Sequence, residues 1–253
     1  MTSQFDAIDH EATQYALPKL RSAGKVNFGN IHGVLPFTGL RNPISVSSTS
    51  YKVSFQYKTA ANNWQPRLGL VESGAELAVA EEMLISPNLF DLEFQPIEIR
   101  FRHPDGSMRT HFPDLRQTLQ SGLKRLIFVR NASSLKKQVT QDEIAAIVAA
   151  TPKQEAHEFV VVDADSYTRP RRENLRRMHR LVAFQPDPGA DEIVSAAVKS
   201  CRSLWTMSSL FPYAALSKAR IFQSALRLIA AGRLNANMNA VICHHSRIWE
   251  HAA

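Results

Sequence analysis

Cysteine is almost missing from this chain: Cys201 and Cys243 are the only two in 253 residues, far apart and outside any CxxC or Cys/His ligand spacing. That excludes a disulfide framework, offers no zinc pattern and fits a reducing compartment. Long apolar runs are also missing, none approaching the ~20 residues that a membrane span needs. The first fifteen residues, Met1 to Tyr15, are polar and acidic, unlike a signal peptide. A soluble, unprocessed, cytoplasmic chain is the expectation. Glycine numbers only 10, and neither a Gly-rich phosphate loop nor a nucleophile elbow is formed from it. The three tryptophans, Trp64, Trp205 and Trp249, are too dispersed for a base-stacking platform.

What is present is apolar residues at 44%, ample for a large core or for two modest ones in series. Basic residues are in excess: 30 Lys+Arg against 23 Asp+Glu give a net charge of +7 and a pI near 9.6. A polyanionic partner, DNA first among them, is therefore expected.

Residues 1–60 carry scattered Gly, Pro, Ser and Asn around one alternating stretch, Tyr51 to Tyr57, and read as an arm with a loosely attached hairpin. Ser73-Gly-Ala-Glu76 is a capping-box pattern, and Leu77, Ala80, Met83 and Leu84 follow at helical spacing. That helix should stop near Ser86-Pro87. Ile97, Ile99 and Phe101 alternate with charged residues, and His103-Pro-Asp-Gly106 then turns the chain into Met108 to Leu115, a hairpin. Two further strands are expected at Leu126 to Val129 and Phe159 to Asp163, around a helix from Gln141 to Ala150. The order helix, three strands, helix, strand, helix implies an α/β fold with a mixed sheet flanked by helices. After Asp187-Pro-Gly189 helices dominate: Asp191 to Cys201, Ser203 to Phe211 and Ser217 to Ala231, with a strand expected over Ala240 to Cys243. Residues 188–253 thus read as a small helical, winged-helix-like domain.

Three features stand in a meaningful order: Glu76 on the opening helix, Asp114 after Pro113, and a strand ending Phe128-Val-Arg130. In nucleases of the PD-(D/E)XK type, carboxylates from a helix and a strand hold Mg²⁺. An acidic or amide residue and, two positions on, a lysine share one face of the next strand. The metal activates a water and the lysine orients it. Together with Phe94-Gln-Pro96, Glu173-Asn-Leu-Arg176 and Ala231-Gly-Arg-Leu234, these motifs make residues 65 to 250 resemble the TnsA endonuclease of heteromeric transposases.

The resemblance implies a restriction-endonuclease-like domain over 61–187, acting on mobile-element DNA ends beside a transposase or ATPase partner. It implies Mg²⁺ or Mn²⁺ held by Glu76 and Asp114. The third motif departs from the family. Phe128 stands at the acidic or amide position, and Arg130 stands where the lysine belongs, a planar fork in place of a compact ammonium. A displaced lysine such as Lys124 is one compensation; a pseudonuclease that binds or scaffolds DNA, and a stand-alone defence or repair nuclease, are the alternatives. Without the resemblance, Glu76 is explained as a capping residue, Asp114 as the end of a hairpin strand and Arg130 as a solvated strand end.

The segment Arg169 to Arg180 carries six arginines, Arg169, Arg171, Arg172, Arg176, Arg177 and Arg180, around a buried stripe of Leu175, Met178 and Val182. They are the expected DNA-phosphate contacts. Lys218, Arg220 and Arg227 on a later helix read first as an ordinary polar face, and the adjacent His244 and His245 as structural.

Overall fold

The computed structural model describes residues 26–44 and 52–250. Strands β1 (Val53–Tyr57) and β2 (Arg67–Val71) form an antiparallel hairpin. Tyr51, expected to open the first of them, lies outside the described residues. Residues 26–44 dock on this hairpin: Leu35 bridges to Arg67, and Ile44 is buried with Leu68 and Leu70. Helix α1 (Gly74–Leu84) starts where Ser73 Oγ accepts the Glu76 N–H at 3.1 Å. It is buried on nearly every side, through Ala75, Leu77, Val79, Ala80 and Leu84.

Beyond α1 the chain is mixed α/β. Strands β3 (Leu89–Phe94), β6 (Leu115–Leu119), β7 (Lys124–Arg130) and β8 (Glu158–Asp163) make one mixed sheet in the order β3-β6-β7-β8. The first two pairings are antiparallel and β7–β8 is parallel. The parallel pair needs a crossover, supplied by the helical turn α2 (Ala132–Leu135) and helix α3 (Gln138–Ala150). Strands β4 (Ile99–Arg102) and β5 (Met108–His111) form a separate hairpin.

This corrects the expected strand plan. Three strands do lie between α1 and the next helices in the main sheet, but they are β3, β6 and β7, and the recognised hairpin stands outside it. The expected strand from Met108 to Leu115 breaks at Phe112-Pro113, because proline lacks the N–H that a continuous ladder requires. Asp114 accordingly sits at the entry to β6 and does not close the hairpin strand.

The sheet is covered on both faces, which is why Leu126, Ile127, Phe128 and Val129 of β7 form an unbroken apolar run. Ile127 and Val129 pack with α1, whereas Leu126 and Phe128 pack with Ile99, Phe101 and Ile147. Helix α4 (Arg169–Phe184) is the seam to a second core: Leu175 belongs with α1, while Met178 and Leu181 join Val194 of α5 (Pro188–Ser200) and Ile221 and Ala225 of α6 (Lys218–Ala230). Between α5 and α6 runs a 3₁₀ segment, Met207–Tyr213, close to the short helix expected there.

The expected strand at Ala240 to Cys243 does not form. Asn174, fully buried on α4, donates to the carbonyls of Met238 (3.2 Å) and Ala240 (2.8 Å) and accepts the Ile242 N–H (3.0 Å), so this backbone is already paired. Strands β9 (Leu234–Ala236) and β10 (Ile248–Glu250) pair around it.

Candidate functional site

The first turn of α1, the entry to β6 and the end of β7 meet at one end of the sheet. Register places Leu115 opposite Ile127, so Asp114 adjoins the last residues of β7. Asp114 Oδ2 accepts the Val129 N–H at 2.8 Å and the Arg130 Nη1 at 3.2 Å, and Arg130 Nη1 also donates to the Val129 carbonyl at 2.8 Å. Glu76 Oε2 accepts the Glu72 N–H at 2.9 Å, and Oε1 accepts the Ser73 hydroxyl at 3.2 Å. Its capping role is therefore real, with the carboxylate reaching one residue further back than a standard capping box.

Electrostatics join these groups. Burial raises Glu76 to about 8, and repulsion from Asp114 adds to the rise against the pull of Ser73, Arg130 and Lys52. Asp114 is raised as well: burial outweighs the attraction of Arg130, the Val129 hydrogen bond and Arg41. Two carboxyl groups that resist being charged together is the arrangement expected at a cation site or at a shared-proton pair. Beside them His111, stacked on Phe128 with centroids 5.3 Å apart, is pushed down to about 4 by burial and by Arg130 and Arg41. Arg41 pairs with Glu72 and lies over the Phe112 ring.

The structure thus brings Glu76, Asp114 and Arg130 together. Phe128 has 0% exposure and faces the second packing layer, so its side chain has no part in the site. Lys124 starts β7 and Arg130 ends it, six residues or roughly 20 Å along an extended strand. That distance rules out Lys124 as the displaced lysine. Lys52 is the lysine within electrostatic reach of Glu76, and neither it, Arg41 nor His111 was legible in sequence, because each arrives from an element whose docking no local pattern reports.

A divalent cation at this pair would compete with Arg130 for Asp114. Asp114 Oδ2 is already taken by Val129 and Arg130, both Glu76 oxygens have partners, and no group of three His, Cys, Asp or Glu side chains occurs among the described residues. The Arg130 guanidinium already places positive charge on Asp114.

The six arginines of α4 divide. Arg171 donates to Glu82 Oε1 at 2.6 Å and lies over Tyr167, whose hydroxyl donates to Glu82 Oε2; Arg172 donates to the Tyr167 carbonyl at 2.7 Å; Arg177 donates to the Ile242 carbonyl at 2.9 Å. These three tie α4 to its neighbours. Arg169, Arg176 and Arg180 are exposed and, at spacings of seven and four residues, form one helical stripe interrupted by the exposed Glu173. On α6, Arg220 and Arg227 pair with Asp187 and Asp191, which holds α6 to the start of α5. His244 meets the rings of Phe211 and Phe222 edge-on, and no helix among the described residues is long and apolar enough to cross a membrane.

Neither a protein-family model nor a curated protein sequence matches the chain.

Proposed function

We propose that this protein is a DNA-binding subunit of restriction-endonuclease type, similar to TnsA, in which an internal ion pair has replaced the metal-dependent cleavage centre. The observation that carries the reading is Arg130 Nη1 on Asp114 Oδ2, at the two positions where a lysine and a metal-binding aspartate would stand. The order α1, β3, β6, β7, α3, β8 with sheet order β3-β6-β7-β8 supports the fold assignment, since a helix-strand-strand-strand-helix-strand core is what such nucleases share. The helical region after residue 188, closed by the β9–β10 ribbon, supports a winged-helix-like unit that would meet DNA or a transposase partner.

A second reading is a working nuclease subunit. The raised Glu76 and Asp114 favour it, because a divalent cation would relieve their repulsion and Lys52 lies within electrostatic reach. Nicking of supercoiled plasmid in Mg²⁺ or Mn²⁺ separates the two. The wild type is expected to be inert, and Arg130→Lys alone is expected to leave it so. Cleavage by the wild type that Asp114→Ala abolishes would establish the second reading.

DNA binding itself is expected to run through the exposed stripe of α4. Charge reversal at Arg169, Arg176 and Arg180 should weaken duplex binding and flatten the dependence of log K on log salt by roughly one per lost phosphate contact. The same change at Arg171, Arg172 or Arg177 should lower the melting temperature. An unaltered salt slope in the stripe variant would remove this face from the interface.

A further inference from the structure

A cleft of about 620 Å³ opens between α1, α4 and the edge of β1, beginning at Leu77, the residue next to Glu76. Its size is that of a small-molecule site, and its walls mix apolar side chains (Val53, Phe55, Leu77, Phe184) with a larger number of polar and charged ones. Phe55, His179 and Phe184 line it as an edge-to-face series, with ring centroids 6.1 Å and 5.9 Å apart. Two polar side chains lining the cleft are buried and incompletely satisfied. Glu81 is 3% exposed and its Oε2 has no partner; His179 is 5% exposed and its Nε2 has none.

Leaving two such atoms unpaired costs a fold stability that a pair of apolar residues would not. Both atoms are shielded from solvent in this conformation, so a ligand completes them by drawing the two side chains into the cleft that they line. The mouth is basic: Arg176 and Arg180, one turn apart on α4, are exposed. The complementary molecule therefore has a flat body with hydrogen-bonding edges, and an anionic group at a short distance from it.

We propose that this cleft binds a nucleotide, the base lying against Phe55, His179 and Phe184 with its polar edge on Glu81 and His179, and the phosphate held by Arg176 and Arg180. Aromatic walls and buried polar groups that read a base edge are how unstacked bases are recognised. The inference concerns a site separate from the Glu76–Asp114 pair and stands whether or not that pair cleaves DNA. Glu81 suits the task because burial raises it to about 8, so that near neutral pH it offers both an O–H donor and a carbonyl acceptor; Arg176 opposes that rise and Glu173 adds to it.

Calorimetric titration of the full chain with the four deoxynucleoside monophosphates, the matching nucleosides and ribose 5-phosphate tests this. At least one monophosphate is expected to bind, at least tenfold more tightly than ribose 5-phosphate. Glu81→Leu and His179→Leu, checked for intact folding by circular dichroism, should each weaken it tenfold or more. Arg176→Glu with Arg180→Glu should abolish the preference for the monophosphate over its nucleoside. Competition by a single-stranded oligonucleotide would show that the site takes a nucleotide within a strand, and its failure that the nucleotide is free. No binding of any monophosphate at millimolar concentration, binding equal to that of ribose 5-phosphate, or binding untouched by both leucine variants would overturn the proposal.

Discussion

Asp114→Ala is expected to destabilise the protein by about 3 kcal/mol, the usual cost of stripping one partner from a mostly buried ion pair. Two groups lose an acceptor at once: the Val129 N–H and the Arg130 guanidinium, both on Oδ2, with Arg130 left only its bond to the Val129 carbonyl. Asp114→Asn keeps an oxygen for Val129 while removing the charge, so its loss should be smaller, about 1–2 kcal/mol. Adding Arg130→Met to Asp114→Ala should restore part of the stability, because the stranded cation is then gone. Urea unfolding of wild type, Asp114→Ala, Arg130→Met and the double variant in metal-free buffer measures the coupling directly, with Asp114→Asn alongside. Additive losses would mean that Arg130 does not hold Asp114, and with that the ion-pair account of the site fails. The same cycle repeated in Mg²⁺ carries a second reading of the site: stabilisation of wild type that disappears in Asp114→Ala would reveal a cation displacing the guanidinium.

How much of this was legible in the sequence differs by element. The capping pattern Ser73 to Glu76, the apolar run of β7, the HPDG turn and the amphipathic α6 were readable, because each is dictated by neighbours within one or two turns of chain. Strand β3 was missed although Ser86-Pro87-Asn88 supplies turn chemistry and Asp91 to Phe94 alternate, because the adjacent apolar pair Leu89-Phe90 breaks the alternation and the run is short. Strand β2 was missed because Gly69 interrupts it; there the Phe55 ring of the partner strand fills the space that a side chain would take. Glu76 and Asp114 were found through the order of motifs, and the structure brings them together. The cleft at Glu81 was not readable, since a glutamate on a helix is ordinary until α4 is known to cover it. The arginines of α4 show the opposite error. Composition treats six like charges as one surface, and tertiary contacts assign three of them to Tyr167, Glu82 and Ile242.

Stability should fall on the alkaline side above pH 6.5, and Glu81→Gln should remove about half of that fall. Four buried groups set the expectation. Glu76 and Glu81 are raised to about 8, and His111 and His179 are lowered to about 4, with burial the leading cause in each. A raised carboxyl contributes fully below its unfolded value near 4.5 and is lost as pH rises through 8; a lowered imidazole contributes fully above 6.5 and is lost as pH falls through 4. Between 4.5 and 6.5 the unfolded chain holds protons on both histidines and the folded chain holds them on both glutamates, so these four groups leave stability level. From 6.5 to 8 only the folded chain binds the two protons, so stability falls with pH by roughly 3 kcal/mol per unit at most. Glutamine at position 81 fixes the neutral form, which should leave stability near pH 5 unchanged and raise it at pH 9 by several kcal/mol, up to about 5. Urea midpoints at pH 5, 7 and 9 for wild type, Glu81→Gln and Glu76→Gln check the sign and apportion the slope. A Glu81→Gln profile running parallel to wild type would show that Glu81 is charged in the fold, and the hydrogen-bond donor assigned to it in the nucleotide cleft would go with it.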